Sequence, residues 1–155
     1  MATTSAHDGS YGLSDSGSTF FYESGTTLGR VGDEVRAWVR GTGGRVYLGF
    51  DGNALGGKSF VFGPNTGVIL MQDNASWGYT EFEMTTISAA ASHWYLMKTT
   101  IGAGGSVTGT LYDSDGTTLL ASVTHVYAGG VGIGGVTLRT FGGMDLDTIQ
   151  VCPAP

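Results

Sequence analysis

Four groups of residues in this chain have the types and spacing to do chemistry. The first is Arg36, Trp38 and Arg40 at alternate positions of one segment, with Tyr47 in the next and Lys98, Thr110 and Tyr112 further on. Flat rings beside Arg and Lys donors suit a sugar, whose C–H face stacks on an aromatic while its rim of hydroxyls takes hydrogen bonds. The second is Trp77 and Tyr79 in Asp73-Asn74-Ala75-Ser76-Trp77-Gly78-Tyr79, a loop aromatic pair flanked by Asn and Asp that could grip a glycan from an edge. The third is Glu81 and Glu83, which strand alternation places on one face about 6.6 Å apart in backbone rise. Two carboxylates across a scissile bond are what glycoside hydrolysis needs, but no third carboxylate follows in register and a solvated outer face accounts for the pair more simply. The fourth is Asp8, Asp15, Asp145 and Asp147, carboxylates that could supply several of the oxygens at ~2.4 Å that a structural calcium requires.

Other patterns carry less. Asp113-Ser114-Asp115-Gly116 resembles the start of a calcium loop, but the later Glu is missing and strand patterns flank it, so a hairpin turn is expected, with Gly at a positive φ. Gly130-Val131-Gly132-Ile133-Gly134-Gly135 matches a phosphate-binding glycine pattern, yet a strand pattern follows where a helix would be needed. Asn74-Ala75-Ser76 is a glycosylation sequon, meaningful only in a secreting eukaryote. His7, His93 and His125 are scattered and support neither a histidine metal site nor a catalytic triad. Cys152, the single cysteine, allows no internal disulfide.

The elements that must position these residues follow from composition. Of 155 residues, 28 are Gly, and an interior Gly costs a helix ~1 kcal/mol relative to Ala, so long helices are disfavoured. Scarce Pro and aperiodic Gly exclude collagen, and 17 aromatics exclude disorder. An all-β domain with glycine turns remains. With 7 Lys and Arg against 13 Asp and Glu, the net charge of −6 opposes nucleic-acid binding, and no apolar run is long enough to span a membrane. About eleven strands are expected, from Thr19–Glu23 through Leu146–Val151, in one domain over 1–151 with a tail or linker stub over 152–155. Gly41-Thr42-Gly43-Gly44 reads as a hairpin loop making the Trp38 strand the antiparallel neighbour of the Tyr47 strand.

The segments EVRAWVR (34–40), RVYLGF (45–50), WYLMKTTI (94–101), VTGTLYDSDGTTLLAS (107–122), GIGGVTLRTFG (132–142) and LDTIQV (146–151) together resemble a concanavalin A-like jelly roll of the laminin-G-like and carbohydrate-binding-module type. That resemblance implies a two-sheet antiparallel sandwich binding glycans through a concave face or edge loops, often with a calcium at the last strand. By position Asp147 matches the first acid of the family's closing motif and Thr148 replaces the second. Glycosidases of this fold place Glu-x-Asp-x-x-Glu on one strand, and only Glu81-Phe82-Glu83 occurs here. The expected function is non-catalytic polysaccharide binding by stacking and Arg/Lys hydrogen bonds, with Arg30, Arg36, Arg40 and Arg45 hinting at an acidic glycan. A structural or adhesion domain of a phage tail, virion or cell-surface assembly is the alternative, and a small glycoside hydrolase the third reading. The start Met-Ala-Thr-Thr-Ser-Ala carries no Sec-type signal, so the chain reads either as an excised module or as one that acts without Sec export, and an extracellular or surface-associated module of a larger protein is the expectation.

Overall fold

A computed structural model describes residues 6–9, 12–41 and 43–155, with the side chains of 19–25 and of Trp77 outside that description. Among the described residues there are twelve strands: β1 (Leu13–Asp15), β2 (Ser18–Leu28), β3 (Glu34–Gly41), β4 (Arg45–Asn53), β5 (Gly56–Gly63), β6 (Val68–Asp73), β7 (Thr80–Thr86), β8 (Trp94–Ile101), β9 (Ser106–Tyr112), β10 (Leu119–Val126), β11 (Gly134–Phe141) and β12 (Met144–Cys152). They form two six-stranded antiparallel sheets, ordered β1-β12-β3-β8-β9-β10 and β2-β11-β4-β5-β6-β7. The expected sandwich is present, with one strand more than the sequence suggests because the three-residue β1 is too short to leave a pattern. Cys152, expected in the tail, closes β12 opposite Glu34, and the Ala154 N–H donates to Asp33.

Alternation explains the packing. Val35, Ala37 and Val39 of β3 and Tyr95, Met97 and Ile101 of β8 point inward from the first sheet, meeting Val46, Leu48 and Phe50 of β4 and Phe60 and Phe62 of β5 from the second. Gly109 of β9 lies so close beneath Phe60 that a Cβ there would run into the ring. β5 and β6 differ from the rest in being apolar on both faces. Val61, Val68 and Leu70 point outward with Tyr47 and form a second buried cluster, separate from the main core.

One topological expectation fails. β3 pairs with β12 and β8, whereas β4 pairs with β11 and β5, so Gly41–Gly44 is a corner between sheets and not a hairpin. Glycine signals a tight reversal but cannot say whether the strand beyond stays in the same sheet. A side chain at Gly44 would strike the backbone carbonyl of Phe141, so the corner is pressed against the end of β11. The consequence is that Trp38 and Tyr47 lie on opposite outer faces of the molecule.

Candidate functional site

On the outer face of the first sheet, strand register sets out three rows: Asp147, Trp38, Leu96, Tyr112; Asp145, Arg40, Trp94; and Gln150, Arg36, Lys98, Thr110. Five of the expected binding residues, Arg36, Trp38, Arg40, Lys98 and Tyr112, do share this face. Their cations, however, are held by the chain's own acceptors. Arg40 pairs with Asp145 at 2.7 Å and lies over the Trp94 ring at 4.7 Å, Lys98 pairs with Glu34 at 2.9 Å, and Arg36 donates to Gln150 at 2.7 Å. Trp38 is covered: the His7 ring stacks on it at 3.7 Å and 9°, and the Gly116 turn abuts its far edge.

The four aspartates considered for calcium are not gathered, and among the described residues no group of three or more His, Cys, Asp or Glu side chains could hold one ion. Asp147 Oδ2 accepts the N–H groups of His7 and Asp8 at 2.7 and 2.8 Å, Asp145 carries Arg40, Asp15 takes the Thr140 hydroxyl and the Gly17 N–H, and Asp8 lies 3.0 Å from His7. Burial by itself raises the Asp147 carboxyl, but the N–H donors of Asp8, His7 and Thr148 outweigh it and hold the group below the ordinary carboxylate value. Donors turned toward these carboxylates are the opposite of a cation cage, which needs lone pairs converging on a point, so the residues do not fit calcium.

The outer face of the second sheet is different. Its rows run Thr137, Gly49, Ser59, Gln72, Glu81 and Arg139, Tyr47, Val61, Leu70, Met84, with Phe141 beside Arg45. A recess of about 420 Å³ lies here, lined by Arg45, Tyr47, Gln72, Tyr79, Glu81 and Arg139 among others. Tyr47 lines it, with Val61 and Leu70 buried beside that ring, and the exposed Tyr79 (74%) and Phe141 (52%) also border it. Glu81 Oε1 accepts Arg45 and the Gln72 amide, both at 3.1 Å, and the Arg139 guanidinium lies 5.0 Å above the Tyr47 ring. A buried chain supports this array: Asn74 donates to Gln72 Oε1 at 3.0 Å and to the Gly78 carbonyl at 2.9 Å, while its own carbonyl accepts the Ser59 hydroxyl at 2.9 Å. Asn74 is 2% exposed, so the sequon is closed in the folded protein.

The expected carboxylate pair is split. The register slips between Leu70 and Gln72, so β7 bulges and strict alternation is lost. Glu81 stays on the outer face, whereas Glu83 turns to His125 of β10 at 2.7 Å, where the His125 ring stacks on Phe82. The two carboxylates therefore do not face one substrate. Trp77 lies in a 3-10 turn at Ala75–Trp77, and its side chain falls outside the described residues. Sequence reasoning missed Gln72, Arg139, Phe141 and Met84 on this face. Alternation along β11 could have paired Arg139 with Phe141, but nothing in a continuous apolar β6 marks which side of it is outside.

No protein-family model matches the sequence, and no curated protein is similar to it in sequence. Solved structures are similar in fold. The carbohydrate binding module CBM66 from Bacillus subtilis superposes with a TM-score of 0.66 at 11% identity, over 88% of this chain and 83% of that one. A legume lectin-like domain from Entamoeba histolytica gives 0.63 at 8% identity, over 93% and 84%, and the Caenorhabditis elegans galectin LEC-6 gives 0.58 at 12%, over 86% and 89%. The fold is a concanavalin A-like jelly roll. The two outer faces thus differ: on the first the His7 segment covers Trp38, whereas the second holds a recess bordered by the exposed Tyr79 and Phe141.

Proposed function

We propose that this jelly roll is a non-catalytic glycan-binding domain that takes a neutral saccharide on the outer face of its second sheet. The observation that carries the reading is the combination there of an exposed Tyr79, the Tyr47 ring and a fixed Glu81, Arg45, Gln72 array within one recess. Aromatic rings set among several hydrogen-bonding side chains, here Asn65, Thr66, Gln72, Glu81 and two arginines, suit a sugar with its apolar face and polar rim. Tyr79 offers a ring for stacking, and Glu81, with Arg45 and Gln72 already holding it, offers a charged acceptor to sugar hydroxyls. Structures named as a carbohydrate binding module and as lectins share the fold, which supports sugar binding at that coarse level.

The arginines that hinted at an acidic glycan are dispersed. Arg36 and Arg40 belong to the other face, Arg45 is paired with Glu81 and Arg139 lies over the Tyr47 ring, so the arginines of the recess are already engaged and a neutral ligand suits it better. A module of this kind acts outside the cell or on a surface, presenting a larger protein to a polysaccharide. Calorimetry with neutral oligosaccharides is the test: Tyr79→Ala and Glu81→Gln are each expected to weaken binding at least about tenfold, the size of one stacking or one charged hydrogen-bond contribution. Affinity unchanged in both variants would refute the assignment.

The adhesion or assembly reading has one observation of its own. Leu119, Leu120 and Val126 are exposed along the edge strand β10. A defined oligomer in light scattering, lost in Val126→Lys, together with no glycan binding, would favour it.

A further inference from the structure

The covering of Trp38 is built like a bound ligand. His7 lies face to face with Trp38 at 3.7 Å, with a 9° angle between planes, and edge-on to Trp94 at 5.5 Å. Beside it the His7 and Asp8 N–H groups converge on one oxygen of Asp147, at 2.7 and 2.8 Å. Register places Asp147 directly opposite Trp38, so platform and acceptor come from neighbouring strands of a rigid sheet. The remaining walls are the Gly116 turn at the far edge of Trp38 and the Arg40–Asp145 pair over Trp94. His7 Nδ1 is shut off from solvent and sits 3.0 Å from the Asp8 carboxylate, off the line of a hydrogen bond. A flat ring stacked on an indole, with backbone donors of the same segment held by an adjacent carboxylate, offers the two kinds of contact a sugar makes when its hydroxyls take the place of the N–H groups.

We propose that Trp38, Trp94 and Asp147 form a second ring-binding site, on the outer face of the first sheet, which the 7–9 segment occupies through His7 as a tethered stand-in for the ligand. The site is the size of a single ring, and the carboxylate of Asp147 selects a neutral sugar over a uronic acid or sulfated one, Asp145 being neutralised by Arg40. The ligand class rests on the carbohydrate reading given above, whereas the existence of the covered platform does not. The strap is a competitor at fixed effective concentration, so a free saccharide gains access only when it lifts.

The experiment uses the whole chain carrying His7→Gly with Asp8→Pro, which removes the ring and one N–H donor but leaves Trp38, Trp94 and Asp147 in place. Strap-lifted and strap-bearing chains, both also carrying Tyr79→Ala and Glu81→Gln to silence the second sheet, are compared on a printed array of neutral, uronic-acid and sulfated oligosaccharides. The expected result is at least tenfold stronger binding of a neutral oligosaccharide by the strap-lifted chain, abolished by Trp38→Ala. Acrylamide quenching of tryptophan fluorescence should rise in parallel, with far-UV circular dichroism unchanged. His7→Gly alone, which keeps both N–H donors and the native backbone, should shift binding and quenching in the same direction by less, and it keeps the test decisive if the double variant is unstable. Identical array profiles with and without the strap overturn the proposal, as does a gain that survives Trp38→Ala. Failure of the second-sheet reading shows up separately, as array binding by the unaltered chain that is absent or indifferent to Tyr79→Ala and Glu81→Gln.

Discussion

At the scale of single residues, Asn74 is the side chain on which the open face depends without touching its surface. All of its polar atoms are engaged, with Gln72, Gly78 and Ser59, and it ties the end of β6 to the turn that leads to Tyr79. Asn74→Ala would strand two buried partners, Gln72 and Ser59, an unpaired-group penalty of about 2–4 kcal/mol. A urea titration is expected to show that loss, and saccharide affinity should fall with it because Gln72 no longer steadies Glu81. Residue chemistry was partly legible in advance. The aromatic and cationic composition of each face was visible in the alternation of EVRAWVR and WYLMKTTI, but the pairing that neutralises those cations was not. Asp145 and Asp147 looked like metal ligands in sequence. Only the register of β12 against β3 reveals that they face Arg40 and Trp38 and serve this chain's own donors.

The elements themselves were the most legible part, since β-branched and aromatic alternation between glycine turns fixed eleven of the strands to within a few residues. What alternation could not supply was sheet membership. A glycine-rich reversal reads alike whether the chain folds back beside itself or crosses to the opposite layer, and Gly41–Gly44 does the latter. The bulge in β7 was hidden for a similar reason, because one extra residue changes the facing of Glu83 without changing the composition of the strand. The closeness of the layers gives a test at this scale. Gly109→Ala would push a methyl group into Phe60 across the core, an overpacking cost of about 1–3 kcal/mol in thermal or urea unfolding. Combining it with Phe60→Leu should restore part of that loss. Strict additivity of the two changes would mean that the layers are not in contact there.

Across the whole molecule, Asp33 acts as a buckle between distant parts of the chain. It accepts the N–H groups of Gly29 and Arg30, just after β2, and that of Ala154, just after β12. Burial by itself raises this carboxyl, but those N–H donors and the Arg30 charge outweigh it, leaving the group below its ordinary value of 3.8. A depressed folded value means that the stabilisation is fully present above 3.8 and is lost as the pH falls through the folded value. Urea midpoints for the unaltered chain should therefore drop on acidification below that point, and Asp33→Asn should flatten the drop while lowering stability at neutral pH. An equal acid dependence in both proteins would show that the buckle contributes nothing. The corner at Gly41–Gly44 has a consequence at this scale as well, because it sets the Trp38 and Tyr47 faces back to back. A chain with a ring site on each would be bivalent, able to bridge two polysaccharide strands, whereas the strapped form is monovalent and can only decorate one. The few residues around His7 would then govern whether the protein coats a glycan or gels it.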